Sequence, residues 1–120
     1  MSFFSKIFGG QGTAGTGGAI DSSEAKVRIE GANPPYLLDV REPYEFADGH
    51  IEGARLLPLG ELGKRIGDLP RDREILVICR SGNRSGTATR HLAQAGYNAT
   101  NLRGGMIGWQ RAGYPIKRGK

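Results

Sequence analysis

Residues 74–85 read EILVICRSGNRS, and the fold turns on how this stretch is read. Residues 74–79 are a continuous apolar run of strand length, without the alternation that marks a strand with one wet face. They fit a central parallel strand covered on both sides. The run ends in a polar loop containing Gly82. Residues 85–95 follow as a helix, with Ala88, Leu92 and Ala95 on one face and Gly96 as the stop. In open α/β sheets ligands bind at the carboxyl ends of strands, and Cys79 stands at that end of this strand.

Working outward, the alternation recurs. Residues 36–40 (YLLDV) are a second apolar run, preceded by the breakers Asn33, Pro34 and Pro35. A brief helix follows, in which Pro43 takes a tolerated first-turn position and Gly49 closes the element. Residues 54–57 predict a short strand, and residues 59–66 a modest helix interrupted by Gly60 and Gly63. Near the start, a strand at Ala19 and Ile20 leads to a helix reaching about Glu30, with Ser22 or Ser23 as N-cap and Gly31 as stop. Residues 99–102 predict the last strand, after which Gly104 and Gly105 turn the chain into a short helix carrying Met106 and Trp109. Strands and helices in alternation predict an α/β sandwich with a mainly parallel sheet and right-handed crossovers.

The composition supports this and excludes several classes. A chain of 120 residues suits one domain, and with 38% hydrophobic and 24% charged residues and no long apolar run it is neither a disordered acidic tail nor a membrane-spanning protein. Six of its 20 glycines fall in residues 9–18 (GGQGTAGTGG), a composition that predicts a flexible leader over residues 1–18. The domain is then expected over residues 19–116, with a basic tail at 117–120. The tip of the leader carries Phe3, Phe4, Ile7 and Phe8 beside Lys6. A disordered end is the plainer expectation for it, and weak docking to a membrane surface or partner is the alternative. The tip lacks the apolar stretch and cleavage pattern of a secretory signal, so a cytoplasmic protein is expected.

Charge is unevenly distributed. All 12 acidic residues lie between Asp21 and Glu74, whereas residues 75–120 carry eight cations and no acid. That basic half is where an anion would be received. The single cysteine, Cys79, excludes an intramolecular disulfide framework and a cysteine-rich zinc cluster. With only two, separated histidines there is no metal-ligand spacing either, and no metal or other cofactor is expected.

The segment from Cys79 to Ser85 gathers several signals. Gly82 and Asn83 can adopt positive φ, which lets a tight loop aim successive N–H groups inward as an anion-binding nest. The following helix adds unpaired N–H groups and the positive end of its dipole. Arg80 and Arg84 add permanent charge, and a thiol in such a cradle shifts toward thiolate, the nucleophilic form. A lone cysteine is most often an inert buried thiol; two arginines in a strand–loop–helix setting argue for the nucleophile. Ser85 reads first as the N-cap of the helix and second as a ligand contact.

The motifs Leu38-Asp39-Val40-Arg41-Glu42-Pro43, Gly49-His50-Ile51-Glu52-Gly53-Ala54, Cys79-Arg80-x-Gly82-x-Arg84-Ser85 and Gly104-Gly105-x-x-x-Trp109 occur in this order. In them the chain resembles the single-domain rhodanese family over about residues 19–116. The resemblance implies a rhodanese-like sandwich, a five-stranded mainly parallel sheet flanked by helices, and sulfurtransferase chemistry through a persulfide on Cys79. Thiosulfate or a related small anion would be the donor, held by Arg80, Ser81, Gly82, Asn83, Arg84 and Ser85. Cyanide, a thiol or a protein would be the acceptor. A persulfide carrier with little thiosulfate turnover is the alternative. Phosphatases and arsenate reductases of related fold use a loop one residue longer, C-x5-R, against C-x4-R here, which disfavours them.

Asp39 and Arg41 are expected to support the site as an ion pair rather than to do chemistry. His50 is expected to be structural, His91 to lie on a solvated helix face, and Trp109 and Met106 to pack in the core. Nucleic-acid binding is not expected, since the arginines are scattered and no aromatic-interleaved patch accompanies them.

Overall fold

A computed structural model of the chain describes residues 16–120, so the Phe-rich tip and most of the glycine-rich leader lie outside the described residues. Five strands, β1 (Thr16–Ile20), β2 (Tyr36–Asp39), β3 (Arg55–Leu56), β4 (Ile75–Ile78) and β5 (Ala99–Leu102), form one sheet in the order β1-β5-β4-β2-β3. Every pairing is parallel. Five helices connect and flank them: α1 (Ser22–Glu30), α2 (Pro43–Asp48), α3 (Leu59–Arg65), α4 (Asn83–Gln94) and α5 (Gly105–Arg111).

The central place of β4 explains its unbroken apolar sequence. Successive side chains of a strand point to opposite faces. Ile75 and Val77 pack with Leu38, Leu62, Ala88 and Leu92 on the α3–α4 side. Leu76 and Ile78 pack with Ala25, Leu102, Met106 and Trp109 on the α1–α5 side. Trp109 is anchored there through its indole N–H, which donates to the Pro115 carbonyl at 2.9 Å.

Two local expectations differ from the structure. β1 begins at Thr16 rather than Ala19, because pairing with β5 comes from the backbone and needs no apolar side chain at residues 16–18. The N-cap of α1 is Asp21, whose carboxylate accepts the Glu24 N–H at 3.0 Å, while Ser22 is buried and Ser23 donates to Asp21. The basic end is tied to the domain: His50 and Lys117 exchange backbone hydrogen bonds at 2.9 and 2.8 Å, and the Gly119 N–H donates to the Ala47 carbonyl at 2.8 Å.

Candidate active site

Cys79 follows β4 directly, between the carboxyl ends of β2 and β5, with its side chain buried. Two donors reach its sulfur: the Gly82 N–H lies 3.0 Å from Sγ and the Ser85 hydroxyl 3.2 Å. Burial pushes the thiol up, but the Ser85 hydroxyl and the N–H groups of Ser85, Gly82 and Ser81 outweigh it and set the net shift downward, toward thiolate.

Backbone geometry makes this possible. Gly82 alone takes the positive φ, 104°, and is the N-cap of α4; Asn83 is instead the first helical residue. The helix therefore starts earlier than expected, and Ser85 is not its N-cap. It sits fully buried in the first turn, aimed at the sulfur. Across the loop, Gly105 adopts φ 55°, and a Cβ there would lie 2.5 Å from the carbonyl oxygens of Cys79 and Arg80. That close approach lets the first turn of α5 clamp the loop: Met106 N–H donates to the Cys79 carbonyl at 2.9 Å and Ile107 N–H to the Arg80 carbonyl at 3.0 Å.

The three arginines differ sharply. Arg41 is buried and binds both oxygens of buried Asp39, Nε to Oδ1 at 2.9 Å and Nη2 to Oδ2 at 2.8 Å, and Nη2 also donates to the Gly49 carbonyl at 2.8 Å. Arg84 is held in a two-point pair by Glu45, Nη1 to Oε1 at 2.7 Å and Nη2 to Oε2 at 2.8 Å. The Arg84 guanidinium holds the Glu45 carboxyl down at about 2, and Glu45 in turn holds the guanidinium above its usual range. Arg80 is exposed, and among the described residues no carboxylate pairs with it. It lines a cavity of about 420 Å³ together with Arg41, Tyr44, Glu45, Asp48 and Gln110.

The sequence matches the family model of the rhodanese-like domain over residues 21–112. The chain belongs to the rhodanese-like family. A sulfurtransferase of Allochromatium vinosum is 42% identical over 98 residues, which span 81% of this chain and 92% of the relative. The putative sulfurtransferase YtwF of Bacillus subtilis is 36% identical over 91 residues, 76% of this chain and 88% of that one. The crystal structure of a rhodanese-related protein from Thermoplasma volcanium matches with a TM-score of 0.79 at 35% identity, covering 83% of this chain and 97% of its own. The five-stranded α/β fold and the membership of a sulfurtransferase family are thereby established for this rhodanese-like domain.

Two residues of the rhodanese-like site escaped the sequence reading. Asn101 on β5 places Oδ1 2.5 Å from the Ser85 hydroxyl and donates Nδ2–H to the Gly82 carbonyl at 3.2 Å. Ser85 has one proton and two acceptors, Asn101 and the sulfur. An asparagine inside β5, a residue type depleted in strands, is the signal that could have marked Asn101. Glu45, which neutralises Arg84, reads locally as a helix-start acid. Its Oε1 does accept the Glu42 N–H at 3.0 Å in a capping box.

Neither histidine hydrogen-bonds to the sulfur. His50 is buried, donates Nδ1–H to the Phe46 carbonyl at 2.8 Å and stacks on the Phe46 ring at 3.7 Å; His91 is exposed on α4. Among the described residues no helix is long and apolar enough to cross a membrane.

Proposed function

We propose that the domain takes a sulfane sulfur from thiosulfate or a related small anion onto Cys79 as a persulfide, then delivers it to cyanide, a thiol or a protein acceptor. The observation that carries this reading is the Cys79 sulfur at the mouth of β4, with the Gly82 N–H at 3.0 Å and the Ser85 O–H at 3.2 Å stabilising its anionic form. The thiolate attacks the outer sulfur of the donor. A Cys79–sulfur bond forms, the donor's S–S bond breaks, and sulfite leaves with the electron pair, so the persulfide and sulfite together carry the three negative charges the reactants brought.

Within this proposal Arg80 supplies the open positive charge, and the loop from Ser81 through Gly82 and Asn83 surrounds the transferred sulfur. Ser85 stabilises both the thiolate and the persulfide. Arg84 faces the donor with its charge already matched by Glu45. Asp39 and Arg41 brace the loop from β2. The chemistry asks for no metal or organic cofactor, since a stabilised thiolate is nucleophile enough. A free thiol nucleophile also favours the reducing cytoplasm.

Mixing the protein with thiosulfate and measuring intact mass tests the reading. One added sulfur on Cys79 is expected, and none in Cys79→Ser; sulfur gained equally by that variant would sink it. Ser85→Ala removes the strongest counterweight to burial. The inflection of transfer rate against pH should therefore move to higher pH, and an unmoved profile would take Ser85 out of the role. The second reading, a persulfide carrier with little thiosulfate turnover, is favoured by one observation: Glu45 cancels a cation that a dianion would use. The leader's Phe-rich tip would then serve partner docking, and removing residues 1–15, which spares β1, should weaken partner capture while leaving thiosulfate turnover intact.

A further inference from the structure

We propose that Glu45 is a specificity-determining residue that sets the site for sulfur donors of one negative charge, such as persulfides, over the thiosulfate dianion. The inference rests on the sulfur-transfer reading above and names the donor class of the same site.

Fixed charge around the loop carries the argument. Arg80 follows Cys79 directly, Arg84 lies in the first turn of α4, and Arg41 lines a cavity with Arg80 and Glu45; three carboxylates stand among them. Asp39 takes Arg41, Glu45 takes Arg84 at two points, and Asp48 lines the same cavity as Arg80 and Arg41. Two of the three guanidinium groups are thus paired, Arg80 stays unpaired among the described residues, and Asp48 brings a third carboxylate to its cavity, so the side-chain charges around the loop sum to zero. The favourable field that remains for an anion comes from oriented N–H groups and the Ser85 hydroxyl at the sulfur. Such dipoles act over short range and stabilise the transferring sulfur. They offer little to a second negative charge farther out on the donor.

Position singles out Glu45 among the three acids. Asp39 is fully buried and serves a residue two positions away, whereas Glu45 reaches across 39 residues from α2 to the loop. The Arg84 side chain remains 36% exposed even in the pair, so it sits where a donor could meet it. The Arg84 guanidinium keeps the Glu45 carboxyl at about 2, so the acid is charged at neutral pH.

Coulomb energy scales with the donor's charge. Releasing Arg84 should therefore improve binding of a dianion by about the square of the factor it gives a monoanion. Thiosulfate and methanethiosulfonate form the probe pair, for both deliver one sulfane sulfur to a thiolate. They release sulfite and methanesulfinate respectively, and each reaction conserves charge. Glu45→Gln keeps an amide oxygen for the Glu42 N–H and so preserves the start of α2. With cyanide as acceptor, this variant should lower KM about tenfold for thiosulfate and about threefold for methanethiosulfonate, and added salt should erase the difference. Arg84→Gln, which leaves Glu45 unmatched, should raise both values, thiosulfate more. A change equal for the two donors, or none in either variant, overturns the inference. If neither donor loads Cys79 of the unaltered protein, the sulfur-transfer reading itself fails.

Discussion

Asp39–Arg41 and Glu45–Arg84 are two arginine–carboxylate pairs near one loop; both are two-point pairs of similar length, and they differ in burial and in the sequence separation they bridge. The first joins residues two apart at the end of β2, with side-chain exposures of 0% and 6%. The second joins α2 to α4 across 39 residues, with exposures of 13% and 36%. A desolvated charge must be matched, so the first pair fixes the β2 end where Leu57 and Leu59 also bond to the Asp39 and Val40 carbonyls. A partly exposed pair contributes less to folding and stays available to tune what approaches. Burial, then, separates the ion pair that builds the site from the one that sets its charge.

Asp39→Ala is the severest way to break that contrast. It leaves Arg41 buried with an orphaned charge, and an uncompensated buried ion costs about 3–5 kcal/mol. Urea unfolding should show a loss in that range, and co-substitution of Arg41→Met should restore much of it. A loss below about 1 kcal/mol would place the buried pair in the same class as the exposed one.

Glu45→Ala should be much milder. It removes a partly exposed pair and one half of a capping box, which together are worth about 1 kcal/mol. The same urea titration measures it, and a loss as large as that of Asp39→Ala would mean that solvent does not screen the pair.

The two pairs also show what a sequence can reveal. Asp39 and Arg41 are neighbours in sequence, so their pairing could be expected without a structure. Likewise β4 announced itself because both of its faces are buried, which leaves no polar alternation, and Cys79 at its end followed from that. Glu45 was legible only as a helix-start acid, since the residue it meets lies 39 positions on and is brought there by the sheet. Asn101 was hidden for the same reason, its partners Ser85 and Gly82 being supplied by the turn after β4. Ser85 was seen but misassigned. The positive φ of Gly82 moves the helix start back to Asn83, and that rotation turns the Ser85 hydroxyl inward. For β1, residues 16–18 are Thr-Gly-Gly and carry no apolar pattern; their strand comes from the β5 backbone.

The smallest effect is a pH dependence expected of the Glu45–Arg84 pair. Glu45 titrates at about 2 in the folded protein against an ordinary 4.5, so its carboxylate favours the folded state. For a depressed carboxylate the stabilisation is complete above the unfolded value and is lost as pH falls through the folded one. The window is therefore about pH 4.5 down to about 2. Solvent around Arg84, 36% exposed, screens the interaction, which keeps the contribution below about 1 kcal/mol. Urea midpoints of the unaltered protein and Glu45→Gln should differ by a constant amount from pH 7 to pH 5, and that difference should shrink as the pH approaches 2. A gap that closes before pH 4.5 is reached would mean that Arg84 does not hold the carboxylate, and the proposed cancellation of charge at the loop would go with it.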